Sequence, residues 1–242
     1  MKNIIRKIIL VVCVCVFFYS AFQLGKIFYD YYQIEKQTEE LVESTVKVTD
    51  DSNDPLKREI DFKSLTKTNP DVIGWLYIPD TKIDEPILKG KDNDEYLHTD
   101  IYKKYNKAGS IFIDEINNGD FKDDNTIIYG HNMKNGSRFH DLRYFINKDN
   151  YFEEHPTVYI YLPDGSINVY DIYGASVLNS YSDLYSKGNE YSDYIKRSLA
   201  ESSKKREVSN EEAPLIMLST CYGGDSEDRF VLFARLNKNV KS

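Results

Sequence analysis

The sequence predicts an all-β domain, a closed barrel or a sandwich of antiparallel strands with a few short helices, behind a single apolar N-terminal helix. The strands are predicted by eight short runs, apolar or alternating, divided by turn residues: VIGWLYI, KIDEPIL, GSIFID, NTIIYG, TVYIYL, INVYDIYGASVL, LIMLST and RFVLFARL. So many short runs in one stretch of chain suit a barrel or sandwich. The helix is predicted by the unbroken uncharged stretch from Ile8 to Leu24, about the minimum that crosses a bilayer. A hydrophobic content of 41% fills a core, and no internal repeat or low-complexity tract complicates the reading.

Taken in order, Lys2, Arg6 and Lys7 precede the apolar stretch, the arrangement of both an anchor and a cleavable signal. Bulky Phe17, Phe18, Tyr19 and Phe22, and the lack of an A-x-A pattern near Gly25-Lys26, favour an uncleaved anchor. Basic residues held in the cytoplasm then direct the rest of the chain outward. A juxtamembrane helix is expected over about 27–46, its Phe28, Tyr29, Tyr31 and Tyr32 suited either to a membrane interface or to an ordinary helix face. A polar linker follows, and the spacing of Leu56, Ile60, Phe62 and Leu65 predicts a second helix over 56–68 that ends before Asn69-Pro70. The strand runs come next. Pro163-Asp164-Gly165 marks a hairpin, because it supplies one fixed φ and one positive φ. Tyr191, Tyr194, Ile195 and Leu199 share the face of a helix at about 190–203. No second apolar span lies near the C-terminus.

The net charge of −8 becomes −11 once Lys2, Arg6 and Lys7 are set aside, which argues against a nucleic-acid partner. Cys13 and Cys15 lie inside the apolar stretch as small hydrophobes, so of three cysteines only Cys221 lies outside it. A lone exported thiol is incidental, an intermolecular crosslink or a reactive group.

Chemistry gathers around that thiol. If LIMLST and RFVLFARL are neighbouring antiparallel strands, Cys221 ends one and Arg229 begins the next. A guanidinium beside sulfur favours thiolate, and it can also donate to an oxyanion forming on a bound carbonyl. A nucleophilic cysteine needs a proton-transfer partner, and of four histidines only His131 directly follows an apolar strand, in NTIIYGHNM. Gly130 before it is expected to permit an unusual backbone conformation. His98, His140 and His155 stand in polar, helix-like or proline-flanked contexts and are expected at the surface. Alternation puts Ser219 on the face of Cys221 and Thr220 on the other. Both are candidates for substrate contact, as are Tyr222 and Asn93 of KDNDEYL.

LSTC, followed eight residues after its cysteine by the arginine of RFVL, with YGHN ninety residues before, resembles the sortases, and in its details class B. NPDVIGWLYIPDTKIDEPIL looks like that family's entry into its barrel, AGSIFID like an early strand, and the helix at about 190–203 like the class B insertion. The family's T-L-x-T-C begins here with Met217. The resemblance implies a closed sortase-type β-barrel with N-terminal helices and one helical insertion. It divides the chain into a cytoplasmic N-terminus (1–7), a transmembrane anchor (8–25), juxtamembrane and N-terminal helices (26–68) and a catalytic barrel (69–242). It implies Cys221 as nucleophile, His131 as general acid and base, and Arg229 as oxyanion or substrate-orienting group, with weaker assignments of Ser219, Thr220, Tyr222 and Asn93 to substrate binding. The implied partners are secreted proteins with an Asn-Pro-x-Thr signal followed by Asn, Gly or Asp, and a peptidoglycan precursor amine.

No HExxH, CxxC pair or glycine-rich phosphate loop is present, so neither a metal nor a nucleotide cofactor is expected. The acidic stretch 114–124 lacks the EF-hand order and reads as a solvated loop. Competing readings are a thiol hydrolase, which releases the same thioacyl intermediate to water, an L,D-transpeptidase, whose Ser-His-Gly-Cys signature is missing, a pilin-polymerising sortase, and a surface binding module with an incidental thiol.

Overall fold

The computed structural model describes residues 2–48, 54–186, 188, 190–221 and 226–241, with the backbone alone of Cys221. It divides into two compact units, residues 1–40 and 41–242. The first is helical: α1 (Lys2–Thr45) runs without interruption through the apolar stretch. An 18-residue window in it reaches a mean hydropathy of 2.4 with none of it buried, long and apolar enough to cross a membrane. Phe17, Phe18 and Leu24 point away from any protein core, as do Phe28, Tyr29 and Tyr32 further along. The anchor and the juxtamembrane helix are one continuous helix, because nothing between Leu24 and Thr45 interrupts helical backbone: no proline, and a single glycine, Gly25, tolerated at a cost of about 1 kcal/mol.

In the second unit the last turn of α1 leads into β1 (Val46–Val48), which pairs antiparallel with β2 (Arg58–Ile60). The helix expected over 56–68 is shorter than its apolar spacing suggested. A 3-10 turn at Pro55–Lys57, capped by Asp54, and then β2 occupy its first half, and α2 (Phe62–Thr68) starts only where the Asp61 carboxylate accepts from Ser64 N at 3.0 Å.

The eight runs all form strands: β3 (Val72–Tyr77), β4 (Asp84–Leu88), β5 (Ile111–Ile113), β6 (Asn125–Tyr129), β7 (Thr157–Tyr161), β8 (Ser166–Asn179), then β10 (Leu215–Cys221) and β11 (Asp228–Lys241) after a two-residue β9 (Lys204–Lys205). The sheet runs β11-β10-β6-β5-β4-β3-β7-β8, and β8 pairs with β11 again, so among the described residues eight strands close a barrel. Closure removes the exposed edges that eight paired strands would otherwise leave. The expectation of purely antiparallel pairing is corrected in two places, β4 with β5 and β6 with β10, which run parallel. Parallel neighbours need a long crossover. Residues 89–110 provide it for the first pair, and residues 130–214 for the second.

The β7–β8 hairpin turns at Pro163-Asp164-Gly165, with Gly165 at φ +84° and Leu162 N donating to Ser166 O at 2.9 Å. Short helices α3 (Tyr144–Asn147) and α4 (Tyr151–Glu154) join β6 to β7, and α5 (Tyr191–Glu201) forms the insertion between β8 and β10.

Period-2 alternation sorts the core into layers. Ile128, Leu218, Phe230 and Leu232 point into the barrel with Leu76, Phe139, Phe145 and Ile172. Ile127, Leu215, Met217, Val231 and Phe233 point outward under α5, whose Tyr194 and Ile195 cover them. Trp75, Tyr96, Phe112 and Tyr161 form a third layer with Leu65 and the chain around Leu41, Val46 and Ile60.

Candidate active site

Register decides the site. In the antiparallel β10–β11 pair Cys221 is directly opposite Arg229, as expected from the sequence. On its other side β10 runs parallel to β6 with Ser219 beside Tyr129, and Gly130 N donates to Ser219 O at 3.3 Å. His131 therefore leaves β6 beside the end of β10 that carries Cys221. Cysteine, histidine and arginine come from three adjacent strands at one end of the barrel.

Alternation places Tyr129, Ser219 and Arg229 on the outer face, in step with Ile127, Met217 and Val231 under the insertion. There a cleft of about 290 Å³ opens, lined by Asn93, Tyr129, His131, Tyr185, Ser219 and Arg229 among others. Asn93, which could equally have been a solvated turn, reaches this wall and fixes it: its Oδ1 accepts from Glu115 N at 2.8 Å. Ser219 is buried and its hydroxyl pairs with the Tyr185 hydroxyl at 2.8 Å, tying β10 to the 3-10 turn before α5. Thr220, on the opposite face as expected, also borders the cleft, and its buried Oγ1 has no hydrogen-bond partner among the described residues. Tyr222 lies outside the described residues. Arg229 is half-buried and uses Nη1 on its own loop, donating to Ser226 O at 3.1 Å and Asp228 O at 2.9 Å. These bonds fix where the guanidinium starts.

His131 is the most constrained of these side chains. Its Nε2 lies 2.7 Å from the Leu97 carbonyl oxygen, and its ring stacks on His98 with centroids 5.5 Å apart and planes 16° apart. Burial lowers its pKa below the ordinary imidazole value, the Leu97 carbonyl opposes that, and the charges of His98 and Arg138 add to it. Tyr129 donates to Asp114 at 2.8 Å, and burial followed by that carboxylate pushes the phenol far up, so it stays a neutral wall.

Two glycines hold this geometry, one for a reason different from that expected. Gly130 has no positive φ; a Cβ there would lie 2.8 Å from the Phe139 ring, so the residue is small to let the interior core close behind His131. Gly109 does need its backbone, with φ +55°, and a Cβ would lie 2.3 Å from the Leu97 carbonyl oxygen. Its own carbonyl accepts from Arg138 Nε and Nη2 at 3.0 and 2.8 Å, and Arg138 pairs with Glu85 in the interior. Gly109→Ala thus strains the backbone and pushes on the acceptor that holds His131. We expect a stability loss of about 2–4 kcal/mol from the sum of a positive-φ penalty and overpacking, with a fall in turnover larger than thermal melting alone explains. A melting scan and an activity assay at a temperature where the variant is folded separate the two effects.

Sequence reasoning missed part of this wall. His98 is exposed, as expected, yet it stacks on His131. His140 is not at the surface: it is buried with Nδ1 3.0 Å from Asn132 Oδ1. His155 is largely covered too, its ring 4.0 Å from that of Tyr151. His140 lies in the 3-10 turn Phe139–Arg143 before α3 and His155 directly follows α4, where the aromatic residues around them, unremarkable in sequence, form a packed cluster. Leu97 and Tyr185 carry no sequence signal of their own. The stretch 114–124 is not simply the solvated loop expected: Asp114 and Asp123 are buried and engaged locally, Asp123 accepting from Asn117 and Asn118, and Asp114 from Ile116 N and Tyr129.

Comparison with known proteins agrees with this fold. The family described as Sortase domain matches residues 76–237. The chain is 34% identical to sortase B of Listeria monocytogenes over 234 residues, 91% of each chain. The crystal structure of sortase B from B. anthracis superposes with a TM-score of 0.71 at 28% identity, covering 89% of this chain and all of that one. A class B sortase of Streptococcus pyogenes involved in pilus biogenesis superposes with a TM-score of 0.68 at 26% identity, covering 73% and 97%. Fold and site together define a barrel-fold cysteine transpeptidase. The chain belongs to the sortase family, and within it to class B.

Proposed function

We propose that this sortase, held in the membrane by α1 with its N-terminus cytoplasmic and its barrel outside, cuts secreted proteins at a C-terminal sorting signal of the Asn-Pro-x-Thr-Asn/Gly/Asp kind and joins the new end to a peptidoglycan precursor amine. The observation that carries the reading is the register that sets Cys221 opposite Arg229 with His131 leaving the neighbouring strand beside them. Cys221 is the nucleophile. Its sulfur attacks the Thr carbonyl carbon, its proton passes to His131, and Arg229 donates to the carbonyl oxygen as negative charge develops there. The C–N bond then breaks and His131 returns the proton to the departing amine. The acceptor amine attacks the thioester and loses a proton to His131, the C–S bond breaks, and His131 passes that proton to the departing sulfur, which restores the enzyme. Burial disfavours charge on His131, which supports a proton that moves during attack. Ser219, Thr220 and Asn93 line the signal's path; no cofactor takes part.

The test is the full chain in detergent micelles incubated with a panel of Asn-Pro-x-Thr peptides, with and without an amine acceptor, and read by mass spectrometry. Cleavage after Thr with transfer to the amine supports the reading. Release to water alone favours the hydrolase, and no adduct with any peptide returns the chain to a binding role. Likeness to the pilus-associated S. pyogenes enzyme favours a second reading, with a lysine of another protein subunit as acceptor, which the same assay separates by offering lysyl peptides. Arg229→Lys should lower kcat/KM by about 10² or more, since lysine has no planar fork to hold the oxyanion while keeping its loop bonds. Near-normal activity would remove the role given to the guanidinium.

A further inference from the structure

Between β4 and β5 the crossover 89–110 brings Leu97 and His98 against His131, and the two consecutive residues touch it in different ways. A backbone carbonyl can only accept, so at 2.7 Å from Leu97 O the Nε2 of His131 carries the proton. In a neutral imidazole the lone pair then lies on Nδ1. No hydrogen bond joins His98 to His131; the His98 ring is stacked nearly parallel to the imidazole, 16° between planes and 5.5 Å between centroids, and Tyr105 is tilted against His98 at 6.3 Å. The carbonyl fixes one ring atom and leaves rotation about it open, and the stacked ring closes that rotation.

We propose that His98 is a positioning residue for acyl transfer: with the Leu97 carbonyl it clamps the His131 imidazole in the tautomer and orientation that leave Nδ1 to exchange protons with Cys221 and the leaving amine. The proposal rests on the proton-transfer role given to His131 above. It accounts for Gly109, whose missing side chain lets the Leu97 carbonyl stand where it does, and for Arg138, which holds the Gly109 carbonyl from the other side. It also pairs an exposed imidazole with a half-buried one: charge on His98 opposes charge on His131, as does Arg138 from the following loop. From the strands, Tyr129 and Arg229 complete the charged and titratable lining of the cleft, with Tyr185 at its rim.

The test uses the full chain labelled with ¹³C and ¹⁵N histidine, in detergent micelles. His98→Ala removes the stacked ring, and His98→Phe keeps an uncharged one. In a Cys221→Ala background, where no turnover interferes, the nitrogen shifts of His131 should report the Nε2–H tautomer alone when His98 is retained or replaced by phenylalanine, and a mixture of tautomers in His98→Ala. Both substitutions remove a neighbouring charge, so the His131 titration should shift upward in each. In the enzyme with its cysteine, His98→Ala should lose about tenfold in kcat with KM within twofold, the cost of a loosened proton-transfer geometry, and His98→Phe should recover most of that. His98 is exposed, so both variants should fold, which a melting scan checks. Wild-type kcat in His98→Ala, with a single unchanged tautomer, overturns the clamp. Should His131→Ala itself remain active, the role of His131 fails instead, and the tautomer spectra still decide whether the clamp exists.

Discussion

Turnover is expected to vanish when Cys221 is replaced by alanine. The proposed reaction runs through a thioester, so no alternative path remains once the sulfur is gone, and kcat should fall by about 10⁴ or more, the scale on which loss of a covalent nucleophile is felt. Three readouts must agree. No adduct of peptide mass appears on the protein, no amine-transfer product forms, and the peptide still binds, because Tyr129, Ser219, Thr220 and Arg229 of the cleft are untouched. Folding should be nearly unaffected, since Cys221 ends β10 and the ladder with β11 is made by backbone atoms that alanine also has. Cys13 and Cys15 make the result cleaner than a general thiol-blocking reagent would, because that reagent also modifies α1. Residual cleavage above about a hundredth of the wild-type rate would sink the nucleophile assignment and, with it, the acyl-transfer reading.

The barrel could be read from sequence because a strand's burial has a period of two, and that period survives in runs such as TVYIYL and INVYDIYG whatever surrounds them. Direction could not. β6 and β10 pair in parallel, and nothing in NTIIYG or LIMLST distinguishes a parallel neighbour from an antiparallel one. The same limit explains the half-correct second helix: Leu56 and Ile60 are spaced for a helix, but Asp61 caps the chain one residue before Phe62, and the preceding residues pair with β1 instead. At the site, Cys221 and Arg229 were legible because both lie on strands that flank one short loop, so pairing followed from connectivity. His131 was legible for a related reason, a histidine placed directly after an apolar run. Leu97 and His98 were not, since they sit in a 22-residue crossover without periodicity, and their approach to His131 depends on Gly109 and on the buried Arg138–Glu85 pair, which no local pattern links to them. Gly130 shows the subtler miss: a glycine before a site residue suggested special dihedrals, whereas the interior packing of Phe139 is what excludes a side chain there.

His131→Ala should cost about 10²–10⁴ in kcat/KM, the usual worth of a positioned acid and base. It removes the acceptor for the thiol proton in the first step and the donor to the leaving amine in the same turnover, so both half-reactions slow. The pH profile of the wild-type enzyme identifies the group. Burial, then the neighbouring charges of His98 and Arg138, lower the His131 pKa against the opposing Leu97 carbonyl, so His131 stays neutral to a lower pH than a free imidazole does, near 6.5. As pH falls through that lowered value the ring takes a proton and can no longer receive one from Cys221, and activity declines; the acid limb of kcat/KM should therefore lie below 6.5. Stability carries the same sign. Between the lowered folded value and the unfolded one the unfolded chain binds more protons, so the His131 contribution favours folding above about 6.5 and is lost as pH falls below it. In His131→Ala the acid limb should disappear from whatever activity remains, and added imidazole should restore part of the rate by entering the space the ring vacated. An unchanged acid limb in the variant would assign that limb to another group, and a rate within about threefold of wild type would take proton transfer away from His131 altogether.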